Sequence, residues 1–374
     1  MTAQPDTATI RATAQRLQGA MLAAGAVSVE ADILQPAELL LDLYGEDIRA
    51  RAYVTHDPLR GELMLRPDFT VPVVQAHMNG GADPARYTYL GEVFRKQEHR
   101  ARGQERPSEY LQLGYEVFDR ANPAAADAEV FALFADLLAS LPLRAATGDI
   151  NILMAAVQGL TTSDKRRAAL LRHIWRPKRF RALLDRFGGR QAASAARTAM
   201  LAAFATTPAA ALIAGVGGFV GIRSDAEIAA RVAALLDDAA LPPIAGEQVV
   251  MLDQILALQA ASPVALAALR GLAAVMPALT PALDQMEQRL DALAQRGVDV
   301  AALAFEAAYG RTTLEYYDGF VFGFYAGGRP DLPAIASGGR YDALTRVLGR
   351  GRSIPAVGGV IRPALVAALQ GGGA

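Results

Sequence analysis

Polar side chains in two segments of extended character could bind the charged ends of an amino acid. Asp68 and Thr70 stand two residues apart in RPDFT, so they point the same way if the backbone is extended. A carboxylate beside a hydroxyl suits an ammonium group, and Gln112 could add an amide acceptor. Arg95 offers a planar guanidinium that can bind a carboxylate through two parallel hydrogen bonds. Together these residue types predict a site for a zwitterion.

A second set of side chains suits a basic ring. Glu116 could accept an N–H from an imidazole, and the adjacent Tyr316 and Tyr317 could pack beside the ring. A salt bridge for Glu116 and ordinary strand positions for the two tyrosines explain the same residues. The residue types alone leave these alternatives open.

One predicted hairpin must position most of these groups. Residues 89–95 and 110–118 are β-type runs on either side of a loop rich in Arg, Lys, Glu and Gln. Alternation along the second run divides its side chains between two faces. One face carries Gln112, Gly114 and Glu116, and the other carries Leu111, Leu113, Tyr115 and Val117. We expect the first face to form a pocket floor and the second to pack on helices.

The rest of the chain predicts an α+β protein with a helical insertion. Strand patterns occupy residues 1–150 and 298–370, which we expect to form one discontinuous core, whereas residues 155–297 show helix after helix. Within the helical part, Ser224 to Glu227 form a capping box. Pro72 fits a helix start, and the doublet Gly338-Gly339 a turn. Residues 371–374, Gly-Gly-Gly-Ala, predict a flexible tail.

Composition excludes several classes of protein. The 374 residues contain no cysteine, so disulfides and thiolate metal sites are excluded. Four scattered histidines show no metal-ligand spacing, and no phosphate-binding glycine loop occurs, so we expect neither a metal nor a cofactor. A net charge of -1 argues against a large nucleic-acid surface, and the basic runs at 165–172 and 176–186 fit solvated helix faces better. With neither a signal sequence nor a membrane-spanning run, we expect a cytoplasmic protein without a membrane role.

Several separated motifs resemble one family. The FR of the first run, the charged loop and the returning QLGYE resemble motif 2 of class II aminoacyl-tRNA synthetases, particularly the histidyl type. LRPDFT resembles their LRPE-x-T element, LEYYDGFVF their histidine-specific element, and ASGGRYDALTRVLG with IPAVGG the approach to motif 3. Leu34-Gln35-Pro36 resembles the motif 1 proline at the dimer interface. The resemblance covers residues 1 to about 150 and about 300 to 370, and it implies a dimer with an antiparallel sheet flanked by helices.

The resemblance also implies roles for single residues. Asp68, Thr70 and Gln112 match positions that hold the substrate ammonium group, and Arg95 matches the motif 2 arginine. Glu116 and Tyr317 match imidazole contacts, with Tyr316 adjacent.

Two departures from the family pattern argue against catalysis. Thr312 stands where the synthetases have the arginine that stabilises adenylation, and Leu365 stands where motif 3 has the ATP-binding arginine. Each lost cation would remove roughly 3 kcal/mol of transition-state stabilisation. Arg311 is one residue out of register, so its role is uncertain. The chain also ends soon after motif 3, where an anticodon-binding domain would follow, so we expect no tRNA binding and no catalytic residues.

This combination resembles the regulatory subunits of ATP phosphoribosyltransferase. The resemblance implies a hetero-octamer with the short-form catalytic subunit, in the first step of histidine biosynthesis, with histidine as the feedback effector. Two alternatives stay open. One is a histidine-activating enzyme in which Arg311 and Arg362 take over the lost roles, and the other is a stand-alone histidine sensor.

Overall fold

The computed structural model describes residues 5–44, 48–96, 107–215, 223–311 and 316–371. The chain divides into two compact units, one made of Met1–Ala155 with Ile255–Ala374 and the other of Ala156–Gln254. The predicted loop around residue 100, the substitution at Thr312 and the tail at 372–374 lie outside the described residues.

A nine-stranded sheet and a three-stranded sheet form the larger unit. The nine strands lie in the order β1-β5-β6-β12-β11-β10-β7-β9-β8, and the small sheet has the order β2-β4-β3. The strands are β1 Val27–Ser28, β2 Leu34–Pro36, β3 Val54–Asp57, β4 Gly61–Leu65, β5 Ala85–Phe94, β6 Glu109–Phe118, β7 Leu143–Asp149, β8 Gln259–Ala261, β9 Ala304–Glu306, β10 Phe320–Ala326, β11 Ala336–Arg340 and β12 Ala356–Ile361.

The antiparallel sheet expected from the motifs is present in the six central strands, β5 to β7 in spatial order. Parallel pairs flank them, β1 with β5 and β7 with β9, so the sheet as a whole is mixed. The edge strands β1 and β8 are short, with two and three residues.

Helices cover the larger unit. They are α1 Thr7–Ala23, α2 Ala37–Tyr44, α3 Ile48–Arg51, α4 Thr70–Met78, α5 Pro123–Leu137, α13 Ser262–Ala273, α14 Thr280–Gln295, α15 Asp342–Leu348 and α16 Pro363–Gly371. Helix α5 shows why such segments fold locally, because the Asn122 side chain caps its first turn and Pro123 follows at a position where no N–H is needed. Its buried Phe131 and Phe134 rings meet the phenylalanines of β10.

The smaller unit is helical. It contains α7 Asp164–Arg172, α8 Pro177–Phe187, α9 Ala195–Thr206, α10 Ala209–Gly215 and α11 Asp225–Ala240, while α6 Ile150–Gln158 and α12 Gly246–Ala257 cross its boundaries. The capping box predicted from Ser224 to Glu227 begins α11 as expected.

The smaller unit is shorter than the insertion expected at 155–297. Strand β8 pairs with β9, and helix α14 packs on α5, so both belong to the larger unit. The apolar stripe of α14 is buried, including Leu283, Met286 and Leu293. Its helical period predicts a buried face, but period alone does not say which unit buries that face.

The hairpin at the centre of the prediction is present. Strands β5 and β6 pair antiparallel, with Gly91 opposite Gln112, Tyr89 opposite Gly114 and Tyr87 opposite Glu116. This register brings the polar face of β6 beside α4 and the strand β12.

Candidate functional site

Glu116 is the centre of the candidate site. Its side chain is buried, and its carboxylate accepts hydrogen bonds from Thr70 Oγ1 at 3.1 Å, Tyr89 Oη at 3.0 Å and Tyr341 Oη at 2.5 Å. The three donors come from the start of α4, from β5 and from the residue before α15. All the hydrogen bonds described for this carboxylate therefore come from neutral hydroxyl groups.

Burial governs the charge of Glu116. Removal from water raises the pKa of its carboxyl to about 7, against the opposing effect of the three hydroxyl hydrogen bonds, and the nearby Asp68 raises it further. Near neutral pH this buried carboxylate is therefore only partly ionised. A ligand that brings a positive charge or an N–H donor would stabilise the ionised form.

Glycines make room for the carboxylate. A Cβ atom placed on Gly358 of β12 would lie 1.5 Å from Glu116 Oε2, and one on Gly114 would lie 2.0 Å from the ring of Tyr89. The doublet Gly338-Gly339, predicted as a turn, lies instead within β11, where its residues pair with Gly359 and Gly358. Close strand packing explains both doublets, because no side chain fits between these strands.

The segment 68–70 differs from the predicted extended conformation. Helix α4 begins at Thr70 rather than at Pro72, and the carboxylate of Asp68 accepts the backbone N–H of Val71 at 3.2 Å. Phe69 between them has helical dihedral angles. The hydroxyl of Thr70 nevertheless reaches Glu116, because it projects from the first residue of the helix.

Gln112 supplies an acceptor that the described residues do not use. Its side chain is buried, and no hydrogen-bond partner for its Oε1 occurs in the described part of the chain. An unsatisfied buried amide oxygen is costly, so it calls for a donor. A ligand ammonium group would meet that need.

Arg95 and the two tyrosines complete the set predicted from sequence. Arg95 Nε donates to the carbonyl of Pro67 at 2.7 Å, which fixes the side chain beside the segment that carries Asp68. Tyr317 is buried, and burial together with the charges of Glu116 and Asp68 raises the pKa of its hydroxyl, whereas Arg95 acts in the opposite direction. The ring of Tyr316 lies 4.9 Å from that of Tyr317.

The structure therefore places Asp68, Thr70 and Tyr317 near the carboxylate of Glu116. Both tyrosines precede β10 rather than lying within a strand, so the strand positions considered for them are wrong. Tyr89 and Tyr341 were not among the predicted residues. A known hairpin register could have found Tyr89, since it lies opposite the glycine gap at Gly114.

The three residues discussed in connection with the missing catalytic arginines are Arg311, Arg362 and Leu365. Arg311 is buried, and the guanidinium of Arg362 donates to the backbone carbonyl of Ala334. Leu365 lies in the first turn of α16 and is partly exposed.

Within the described ranges, no group of three His, Cys, Asp or Glu side chains is placed to hold a metal ion. The helices described here are also too short or too polar to cross a membrane.

Known proteins resemble this chain over most of its length. The histidyl-tRNA synthetase family model matches residues 2–217 and 218–364. An ATP phosphoribosyltransferase regulatory subunit from Allorhizobium ampelinum is 35% identical over 352 residues, covering 90% of this chain and 91% of the relative. The protein of the same name from Agrobacterium fabrum is 36% identical over 350 residues, covering 88% and 89%.

Solved structures show the same fold. A protein described as an ATP phosphoribosyltransferase regulatory subunit/histidyl-tRNA synthetase from Bacillus halodurans has a TM-score of 0.67 at 19% identity, covering 99% of this chain and 81% of its own. The histidyl-tRNA synthetase from Nostoc sp. PCC 7120 has a TM-score of 0.64 at 17% identity, covering 99% and 74%. The larger unit thus has the class II synthetase-like architecture that the motifs implied.

Proposed function

We propose that this chain, which belongs to the family of ATP phosphoribosyltransferase regulatory subunits, controls that enzyme through histidine bound in the Glu116 pocket. Its role is regulatory and lies in histidine biosynthesis. The pocket recognises the ligand, and the chain itself makes and breaks no covalent bond.

The observation that carries the proposal is the buried carboxylate of Glu116 with its three hydroxyl donors. A carboxylate with this environment gains most from a ligand that brings an N–H donor with positive charge, such as an imidazole ring. Gln112 Oε1 and Asp68 then receive the ammonium group, and Arg95 the carboxylate of the amino acid. Tyr316 and Tyr317 pack beside the ring.

The names of the relatives support a catalytic partner subunit, and the form of the assembly is part of the proposal. The chain forms a dimer, and dimers join the short-form catalytic subunit in a cytoplasmic hetero-octamer that does not use tRNA. Histidine acts by binding with different affinity to the active and inhibited assemblies, since a ligand shifts an equilibrium only through such a difference.

The proposal is tested by reconstitution with the short-form catalytic subunit. We expect the two proteins to co-elute, the catalytic activity to rise when this chain is added, and histidine to lower that activity. Glu116→Gln should keep the rise in activity and weaken the effect of histidine. Glu129→Gln is the matched control, because it changes a carboxylate that is bound to Arg86 and Tyr115 outside the pocket.

Other outcomes would support the alternatives. If the purified chain catalyses histidine-dependent exchange of pyrophosphate into ATP, it is an amino-acid-activating enzyme. If it binds histidine but neither co-elutes with nor activates the catalytic subunit, it is a stand-alone sensor. Absence of either co-elution or histidine binding would overturn the proposal.

A further inference from the structure

A buried chain of ion pairs runs behind the pocket. Arg289 of α14 donates to Asp127 of α5 at 3.3 Å and to Asp149 at 2.7 Å. Arg340, at the end of β11, donates to the same Asp127 at 2.7 Å. All four side chains are buried, so each depends on its partners to offset the loss of water.

Arg340 connects two stretches of backbone. Its guanidinium also donates to Asp342 at 3.0 Å and to the carbonyl of Pro123 at 2.7 Å. Its own carbonyl accepts the N–H of Asp318 at 3.0 Å. A Cβ atom on Gly319 would lie 3.0 Å from Arg340 Cδ, so the aliphatic part of the side chain rests on that glycine. Residues 318–319 and 340–342 therefore meet at Arg340, and the carboxylate of Asp318 also joins them by accepting the N–H groups of Asp342 and Ala343 at 3.0 and 2.6 Å.

The two held stretches adjoin two aromatic residues of the site. Tyr341 follows Arg340 directly, and its hydroxyl donates to Glu116 at 2.5 Å. Tyr317 precedes Asp318, and its ring would be 2.8 Å from a Cβ atom on Gly339. A shift of Arg340 would consequently move both tyrosines relative to Glu116.

We propose that Arg340 is a positioning residue for the Glu116 pocket, anchored by Asp127 and supported through it by Arg289. Its side chain sets the hydroxyl of Tyr341 against Glu116 and fixes the backbone next to Tyr317. The consequence for histidine affinity rests on the proposed function, whereas the alignment of Tyr341 with Glu116 does not.

The first test uses the full chain without ligand. The carboxyl carbon of Glu116 is followed by ¹³C NMR across the pH range, and its signal is assigned by its absence in Glu116→Gln. Because the hydroxyl of Tyr341 stabilises the ionised form, Arg340→Gln should raise the pH midpoint of Glu116. Tyr341→Phe should raise it by the same amount, and the double variant should add nothing further.

The other titratable and hydrogen-bonding groups near Glu116 are the same in all these variants. Thr70 and Tyr89 donate to the carboxylate, Asp68 raises its pKa, and Arg95 acts on the adjoining Tyr317. An unchanged midpoint in Arg340→Gln, or additive shifts in the double variant, would overturn the proposal.

Two variants separate positioning from general destabilisation. Arg340→Lys keeps a positive charge beside Asp127. Its pH midpoint for Glu116 should therefore lie between those of Arg340→Gln and the wild type. Arg166→Gln is the matched control, since Arg166 is also buried and donates to Asp238 at 2.7 Å in the smaller unit. Arg166→Gln should lower the melting temperature and leave the pH midpoint of Glu116 unchanged. A midpoint shift in Arg166→Gln equal to that in Arg340→Gln would refute the positioning role.

If Arg340→Gln fails to fold, Arg289→Gln supplies the test. It leaves Arg340 with Asp127, Asp342 and Pro123, so the midpoint should rise by less but in the same direction. A midpoint unchanged in Arg289→Gln would then count against the proposal.

The second test measures histidine affinity by calorimetry. Arg340→Gln should raise the Kd about tenfold, as expected for the loss of one hydrogen bond to a charged group, whereas Arg166→Gln should leave it unchanged. If the wild-type chain binds no histidine, the proposed function is wrong, and the NMR titration still decides the role of Arg340.

Discussion

The two faces of strand β6 carry two carboxylates in different electrostatic settings. Tyr115 and Glu116 are neighbours that point to opposite faces. On one face, the hydroxyl of Tyr115 donates to Glu129 at 2.8 Å, and Arg86 donates to both oxygens of Glu129 at 2.6 and 2.7 Å. On the other face, all the hydrogen bonds to Glu116 from the described part of the chain come from hydroxyl groups.

The pKa shifts of the two carboxylates run in opposite directions. Burial alone would raise the pKa of Glu129, but the hydrogen bonds from Arg86 and Tyr115 outweigh it and hold the pKa below its usual value. Burial raises the pKa of Glu116 to about 7. A carboxylate already paired with a guanidinium holds the fold together, whereas one stabilised by neutral donors can still gain from a cation. This difference is why we propose ligand binding on the Glu116 face of the strand.

The largest expected effect comes from filling the space beside Glu116. In Gly358→Ala the new Cβ atom would lie 1.5 Å from Glu116 Oε2 and 2.8 Å from the backbone oxygen of Tyr115, so both the carboxylate and the neighbouring strand would have to shift. We expect stability to fall by about 3 kcal/mol and histidine binding to be lost. Chemical denaturation and calorimetry measure the two effects. Gly271→Ala is the control, since a Cβ there meets nothing within 4 Å and should leave histidine binding intact.

The next effect is the pH dependence of stability. The pKa of Glu116 rises from 4.5 to about 7 on folding, so between these values the folded state binds more protons and stability falls as the pH rises. Glu116→Gln removes this dependence, so between pH 5 and 8 it should gain up to about 3 kcal/mol relative to wild type. Denaturant unfolding at several pH values measures it.

Glu129 should behave in the opposite way. Its lowered pKa stabilises the fold above pH 4.5, and that contribution is lost as the pH falls through the lower folded value. Glu129→Gln should therefore differ from wild type by a constant amount above pH 5 and by less in acid. The same trend for both variants would remove the distinction between the faces.

Histidine affinity should separate the two carboxylates directly. Glu116→Gln replaces an acceptor that the ligand cation needs, so the binding free energy should weaken by about 2 kcal/mol. Glu129→Gln should change affinity by less than threefold, because its carboxylate is bound to Arg86. Isothermal calorimetry at pH 7.5 compares them. Equal losses of affinity would show that the Glu116 face has no special role.

The smallest expected effect comes from single hydroxyl groups. Tyr89→Phe removes one of three donors to Glu116 and should raise the pKa of that carboxyl slightly, with a change in stability of about 1 kcal/mol. Tyr115→Phe leaves Arg86 on Glu129 and should not move the titration of Glu116. Carboxyl ¹³C titrations of both variants provide the comparison. A shift of the Glu116 titration in Tyr115→Phe but not in Tyr89→Phe would contradict this prediction.

Local patterns in the sequence predicted the hairpin and the shared face of Gln112 and Glu116, because alternation is a property of a single strand. The extended conformation predicted at Asp68 and Thr70 was wrong. Alternation assumes an extended backbone, whereas the carboxylate of Asp68 accepts an N–H of the first helical turn. An aspartate just before a helical segment is itself a signal that a helix starts there.

The hydroxyl donors were harder to predict. Tyr341 lies 225 residues from Glu116 in the chain, and the two meet only because β12 lies between β6 and β11. Strand order across a sheet depends on the packing of the whole unit, which no local pattern specifies. The roles of the predicted residues toward histidine stay predictions.

The short edge strands of the large sheet have a consequence for solubility. Strand β1 has two residues and β8 has three, so neither outermost strand of the nine-stranded sheet is a long, flat edge. Long, flat edges recruit strands from other chains and lead to aggregation. Such short edge strands are poor templates for edge-to-edge pairing between chains. We therefore expect concentrated solutions of the folded chain to resist fibril formation.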